Sequence, residues 1–182
     1  QKRGGGRVHV PFDPDRDSPA AHADLDLLLD ALDALERQYP GEGTASGGAK
    51  VAPTALEGFP YEGFGTGIRV TLPPEGEISR VMEPRDALPY YEGFGFWIRG
   101  DGQDHTLELS FAGEEGARYL FHILVRGKDW KLVFAGWENF KAGKAPFEVD
   151  ETERPALAIV LAPGASRPAQ LVLGPFRLGY EK

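Results

Sequence analysis

Three consecutive stretches in the second half of the chain place apolar side chains at every second position, and that period limits the fold more than anything else in the sequence. In Phe94-Gly95-Phe96-Trp97-Ile98-Arg99 the alternate set Phe94, Phe96 and Ile98 is uniformly apolar. In Thr106–Phe111 the set is Leu107, Leu109 and Phe111; in Arg118–Val125 it is Tyr119, Phe121, Ile123 and Val125. Successive side chains of a strand point to opposite faces, so each stretch has one core face and one outward face. Strands are expected over Gly67–Leu72, Gly93–Arg99, Thr106–Phe111, Arg118–Val125, Lys131–Ala135, Ala156–Leu161 and Gln170–Tyr180. Turn residues separate them, which is the pattern of an all-β sandwich or barrel. The last strand should break at Gly174-Pro175, where proline removes a ladder donor. The aromatics Trp130, Phe134, Phe140, Phe147 and Phe176 read as core.

At 182 residues the chain can bury a core without covalent staples. It has no cysteine, which excludes disulfides and thiolate metal sites. Its net charge of -8 argues against nucleic acid and against an anionic membrane surface. No apolar run is long enough to span a bilayer as a helix.

The first 50 residues follow other rules. Residues 1–17 form a Gly/Arg-rich, then Asp/Pro-rich arm, with only Val8, Val10 and Phe12 alternating as in a short edge strand. Ser18 and Pro19 are suited to start a helix. Leu25, Leu28, Leu29, Leu32 and Leu35 then recur at helical spacing, with Asp26, Asp30 and Asp33 opposite, until Tyr39-Pro40-Gly41 stops the pattern. A leucine stripe of this kind must be covered by the sandwich, a neighbouring domain, a partner protein or a second copy of the chain. Gly41 to Lys50 reads as a flexible connector. The division is therefore an arm, a helix over about 18–39 and a connector within 1–50, and a β-sandwich domain over 51–182.

On the outward faces, Trp97 and Arg99 belong to one expected strand, Glu108 to a second, and Arg118 and His122 to a third. If these strands share a sheet, they form an aromatic platform with polar neighbours. That mixture recognises sugars, because a ring covers the apolar face of a pyranose while Arg and carboxylate groups pair with hydroxyls. His122 is a ligand contact or an ordinary surface residue. Trp137 has two open placements, as a plug of the sandwich or as a second platform. One internal echo stands out: Tyr61-Glu-Gly-Phe-Gly-Thr-Gly-Ile-Arg69 matches Tyr91-Glu-Gly-Phe-Gly-Phe-Trp-Ile-Arg99 at seven of nine positions. Similar turn chemistry at two strand entries accounts for it better than duplication.

Several motifs carry less. Asp13, Asp15, Asp17 and Asp24 resemble an EF-hand loop, but Ser18 stands where the glycine belongs. Glu148-Val149-Asp150-Glu151-Thr152-Glu153 has the letters of a retaining glycosidase motif, yet Arg154-Pro155 breaks the strand that the paired carboxylates need. Arg99-Gly100-Asp101 reads as a hairpin turn. His9, His22, His105 and His122 have no metal spacing. No nucleophile or phosphate-loop motif occurs, so no catalytic residue is assigned.

The run Tyr91 to Gly102, the strands Thr106–Phe111 and Arg118–Val125, and Trp130 to Phe140 together resemble the galactose-binding-like jelly roll of family 11 carbohydrate-binding modules. The same signature occurs in the related complex I intermediate-associated protein 30 family. The resemblance covers roughly Val51 to Tyr180 and is strongest from Tyr90 to Phe140. It implies a non-catalytic, exported protein, extracellular or periplasmic, that binds a polysaccharide or surface glycan. The second family implies an assembly or docking role instead. Family members hold structural calcium in loops, which makes Asp101, Asp104 and Asp150 the candidate ligands.

Overall fold

A computed structural model of the chain describes residues 11–17, 43–61, 66–82, 85–149 and 155–179. Two antiparallel sheets stack face to face. The first holds seven strands in the order β1-β4-β11-β6-β7-β9-β10. These are Gly43–Ser46 (β1), Glu77–Val81 (β4), His105–Ala112 (β6), Arg118–Val125 (β7), Lys141–Ala142 (β9), Ala145–Pro146 (β10) and Ala156–Leu161 (β11). The second runs β2-β3-β12-β5-β8, from Lys50–Ala55 (β2), Thr66–Leu72 (β3), Gly93–Arg99 (β5), Trp130–Gly136 (β8) and Ala169–Gly179 (β12).

The period-two pattern sorts side chains as the sequence implies. Phe94, Phe96, Ile98, Leu109 and Phe111 are fully excluded from solvent. Burying each such side chain contributes about 1.5–3 kcal/mol. Phe96 and Phe176 are direct cross-strand partners, and their rings stack at 4.6 Å. Phe111 stacks on Phe147 at the same distance. Within β12 the register shifts between Leu173 and Phe176, at the Gly174-Pro175 step where a break was expected.

Four expectations change. Gly43–Ser46 lies in the expected connector, yet it is β1 and pairs with β4, so the sandwich begins before residue 51. The arm also joins the sandwich: Phe12 bridges in parallel to Ile123, donating to the His122 carbonyl at 2.8 Å and accepting from the Leu124 amide at 2.7 Å. Pro14–Asp17 is one short helical turn (α1). There Asp13 accepts from the Asp15 amide and pairs with Arg126, while Asp15 pairs with Lys131. Those ion pairs account for two of the EF-hand-like aspartates.

The segment after Arg99 is not a hairpin. β5 pairs with β12 and β8, whereas β6 pairs with β7 and β11, so residues 100–104 cross from one sheet to the other. Finally, Trp130 and Phe134 leave the core. Phe134, Trp97 and Leu132 form a second apolar cluster on the outer face of the five-stranded sheet, with Trp130, Phe59 and Tyr61 packed against it. The helix over 18–39, its leucine stripe, Asp24, Asp150, His9 and His22 lie outside the described residues.

Candidate functional site

The crossover after Arg99 splits the expected sugar platform in two. Trp97 and Arg99 sit on the outer face of the five-stranded sheet; Glu108, Arg118 and His122 sit on the outer face of the seven-stranded sheet. Parity placed all five correctly off the core. It carried no information about which sheet each strand joins.

Trp97 is covered rather than presented. It is only 7% exposed, with Phe59 edge-on at 5.4 Å and Tyr61 at 5.7 Å. The segment 56–61 folds over it, held by the Glu57 carbonyl, which accepts from Trp130 Nε1 at 2.9 Å and from Arg99 Nη1 at 3.0 Å. Arg99 also lies over the Trp130 ring, 5.4 Å from its centroid. Gly174, at the bulge of β12, makes room for this cluster: a Cβ there would meet Trp97 Cβ at 3.0 Å and the Trp130 ring at 3.4 Å. Trp137 takes the plug placement. Its indole packs on Phe94 and Phe111, and its Nε1 donates to the Tyr91 carbonyl at 2.8 Å.

The seven-stranded sheet gathers the remaining polar residues. One row across its outer face runs Ser46, Glu77, Val160, Glu108, His122; the next runs Ser79, Ala158, Ser110, Leu120, Lys141. His122 Nε2 lies 3.0 Å from the Glu108 carboxylate, both about four-fifths buried. Arg118 Nη2 donates to Ser110 Oγ at 3.1 Å and approaches the Glu77 carboxylate at 3.8 Å. The arginine therefore reaches across β11, whose Ala158 stands between Ser110 and Ser79 in register. Ser110 and Ala158 are 2% and 6% exposed. The centre of this face is thus a floor of short side chains, with the hydrogen-bonded Glu108–His122 pair along one side and an arginine–glutamate span above it.

Glu77, Ser79 and Ser110 were not singled out from sequence. Ser110 was legible, being the outward residue two positions beyond Glu108. Glu77 and Ser79 were not, because β4 breaks the pattern. Its core-facing Arg80 places a guanidinium over the Phe176 ring at 4.8 Å, so a charge stands where an apolar residue would mark the strand.

Of the expected calcium ligands, Asp101 is engaged within the fold. Asp101 accepts from the Gln103 amide at 2.9 Å, the Gln170 amide at 3.0 Å and His105 Nε2 at 3.0 Å. Burial pushes its pKa up, and the Gln170 and Gln103 amides and His105 together pull it down further, leaving it below the usual carboxylate value. Both oxygens are committed to the corner between the sheets. Asp104 is exposed. These two aspartates do not make an oxygen cage for calcium, and among the described residues no group of three or more metal-ligating side chains is gathered. Glu148 and Val149 lie outside any strand, and the rest of the acidic motif lies outside the described residues.

No protein-family model matches this chain, and no curated protein matches it either. Solved structures do match in fold. A family 11 carbohydrate-binding module of a Clostridium thermocellum cellulosomal cellulase superposes with a TM-score of 0.51 at 14% identity, over 77% of this chain and 88% of the module. The CBM22-1 xylan-binding domain of Paenibacillus barcinonensis Xyn10C gives 0.50 at 14% identity, over 81% and 92%. An exo-beta-agarase gives 0.55 at 10% identity over 81% of this chain, which spans only 25% of that enzyme. At these identities the likeness is one of architecture, and the chain has the jelly-roll β-sandwich fold seen in carbohydrate-binding modules.

Proposed function

We propose that the outer face of the seven-stranded sheet binds a glycan without catalysing a reaction on it. The observation that carries this reading is the floor of Ser79, Ala158 and Ser110, bordered by the Glu108–His122 pair and spanned by Arg118 and Glu77. Short floor residues let a pyranose lie close to the sheet. The carboxylates accept from sugar hydroxyls, Arg118 donates to them, and the serine hydroxyls do either. The described positions on this face include no aromatic ring, so recognition rests on hydrogen bonds rather than stacking. Arg118, about half exposed, exchanges its contacts with Ser110 and Glu77 for the sugar as it swings aside.

The fold supports the same reading. Family 11 and family 22 modules of this architecture are described in complex with a β-1,3-1,4-mixed-linked tetrasaccharide and as xylan-binding. An extracellular or periplasmic setting, where structural polysaccharides lie, goes with this reading.

A glycan array on the full chain, repeated with Glu108→Gln/His122→Ala, tests it. The wild type should bind at least one neutral β-linked polysaccharide. The double variant should lose roughly tenfold or more, since each hydrogen bond to a charged group contributes about 1.5–3 kcal/mol. Unchanged affinity in the variant, or no bound glycan at all, counts against the proposal.

A further inference from the structure

The sequence echo acquires a spatial meaning once the strands are in place. Strands β3 and β5 both pair antiparallel with β12, one on each side. Ile68 and Ile98 both stand opposite Leu173; Arg69 and Arg99 both stand opposite Val172. The two similar segments therefore flank one central strand in the same register. Their arginines share the outer face, with Cα atoms about 10 Å apart at two strand spacings.

That face differs from the rest of the molecule. The chain as a whole carries a net charge of -8. Yet the described outward positions of β2, β3, β12, β5 and β8 include Lys50, Arg69 and Arg99 and no acidic residue. Lys50 and Arg69 are exposed. Arg99 spends one donor on the Glu57 carbonyl and lies over the half-buried Trp130 ring. Arg69 Nη2 reaches Thr54 Oγ1 at 3.5 Å, which leaves most of its donors outward. Thr71 and Gln170 hydrogen-bond each other beside these cations, with Gln170 exposed. The loop over this face carries one carboxylate among its described residues, the exposed Glu57, whose carbonyl holds Arg99 and Trp130, while Asp101 at the corner is closed off by two amides and His105.

We infer that this face is a second binding surface, for a carboxylated polysaccharide. The arginines meet uronate carboxylates, where guanidinium groups bind bidentately. Trp130 supplies apolar surface for a sugar ring, and Thr71 and Gln170 supply hydroxyl partners. A concentration of cations on an otherwise acidic molecule attracts a polyanion locally while the net charge repels nonspecific ones.

Affinity electrophoresis of the full chain through gels containing polygalacturonate, its highly methyl-esterified form, or polyglutamate tests the inference. Polygalacturonate should retard the protein, less so as salt rises, and the esterified polymer should not. Lys50→Ala/Arg69→Ala should weaken retardation roughly three- to tenfold, as expected for two exposed ion pairs, with thermal unfolding unchanged. Glu108→Gln/His122→Ala should leave it unaltered, which separates this surface from the opposite face. Equal retardation by both galacturonans, no retardation by polygalacturonate, or full retention in the Lys50/Arg69 variant overturns the inference. Retardation by polyglutamate alone overturns it too, in favour of an acidic protein partner.

Discussion

Asp101 stabilises the corner through which the chain passes from β5 in one sheet to β6 in the other. It ties that corner to β12 through the Gln170 amide and to β6 through His105. Its native pKa is lowered from the ordinary 3.8. The stability it contributes is therefore present above that ordinary value and is lost as pH falls through the lower native one. Asp101→Ala should cost about 2 kcal/mol at neutral pH. It should also flatten the acid limb of the stability curve below pH 3.8, followed by chemical denaturation across pH. A variant with wild-type stability and an unchanged acid limb contradicts this role. At this scale, alternation told correctly that Phe94, Phe96 and Ile98 face inward and Trp97 outward. It could not tell that Trp97 is covered, because Phe59 and Tyr61 come from a loop some forty residues earlier in the chain.

The strands that were legible are those with long apolar alternation and neighbours on both sides. β5, β7 and β11 have the bounds expected from sequence. β1 was hidden by its Gly/Ser-rich composition: a four-residue edge strand borrows its order from β4 and needs little apolar content of its own. β4 was hidden by Arg80. The crossover at 100–104 was misread because Gly-Asp-Gly letters are equally compatible with a hairpin and with a sheet change; pairing partners far along the chain decide between them. Pairing also explains Gly93. It stands opposite Gly136, and a Cβ on it would lie 2.2 Å from the Ala135 carbonyl oxygen. Gly93→Ala must push β5 and β8 apart at the point where Trp137 enters the core. The expected loss is about 1–3 kcal/mol or more in denaturant unfolding. An unaltered midpoint means that the strands approach less closely than described.

For the whole molecule, the sandwich separates two chemistries that the linear sequence interleaves. Residues 97–122 alternate between inward and outward, and the sheet change in their midst sends the outward set to opposite sides. Glu108, Arg118 and His122 join Glu77 and the short residues of β4 and β11. Trp97 and Arg99 join Arg69, Lys50 and Trp130. The sequence therefore held most of the side chains of the proposed glycan-binding face but not their grouping. Grouping depends on β4, which ends 24 residues before β6 begins, and on β11, which begins 31 residues after β7 ends, and so on long-range pairing alone. The most direct measurement of the central claim is amide chemical-shift mapping by NMR during titration with a soluble neutral β-glucan oligosaccharide. The account predicts that the largest shifts cluster on β4, β6, β7 and β11, around Glu77, Ser79, Glu108, Ser110, His122 and Ala158. Shifts confined to the five-stranded sheet, or none at saturating ligand, would contradict it.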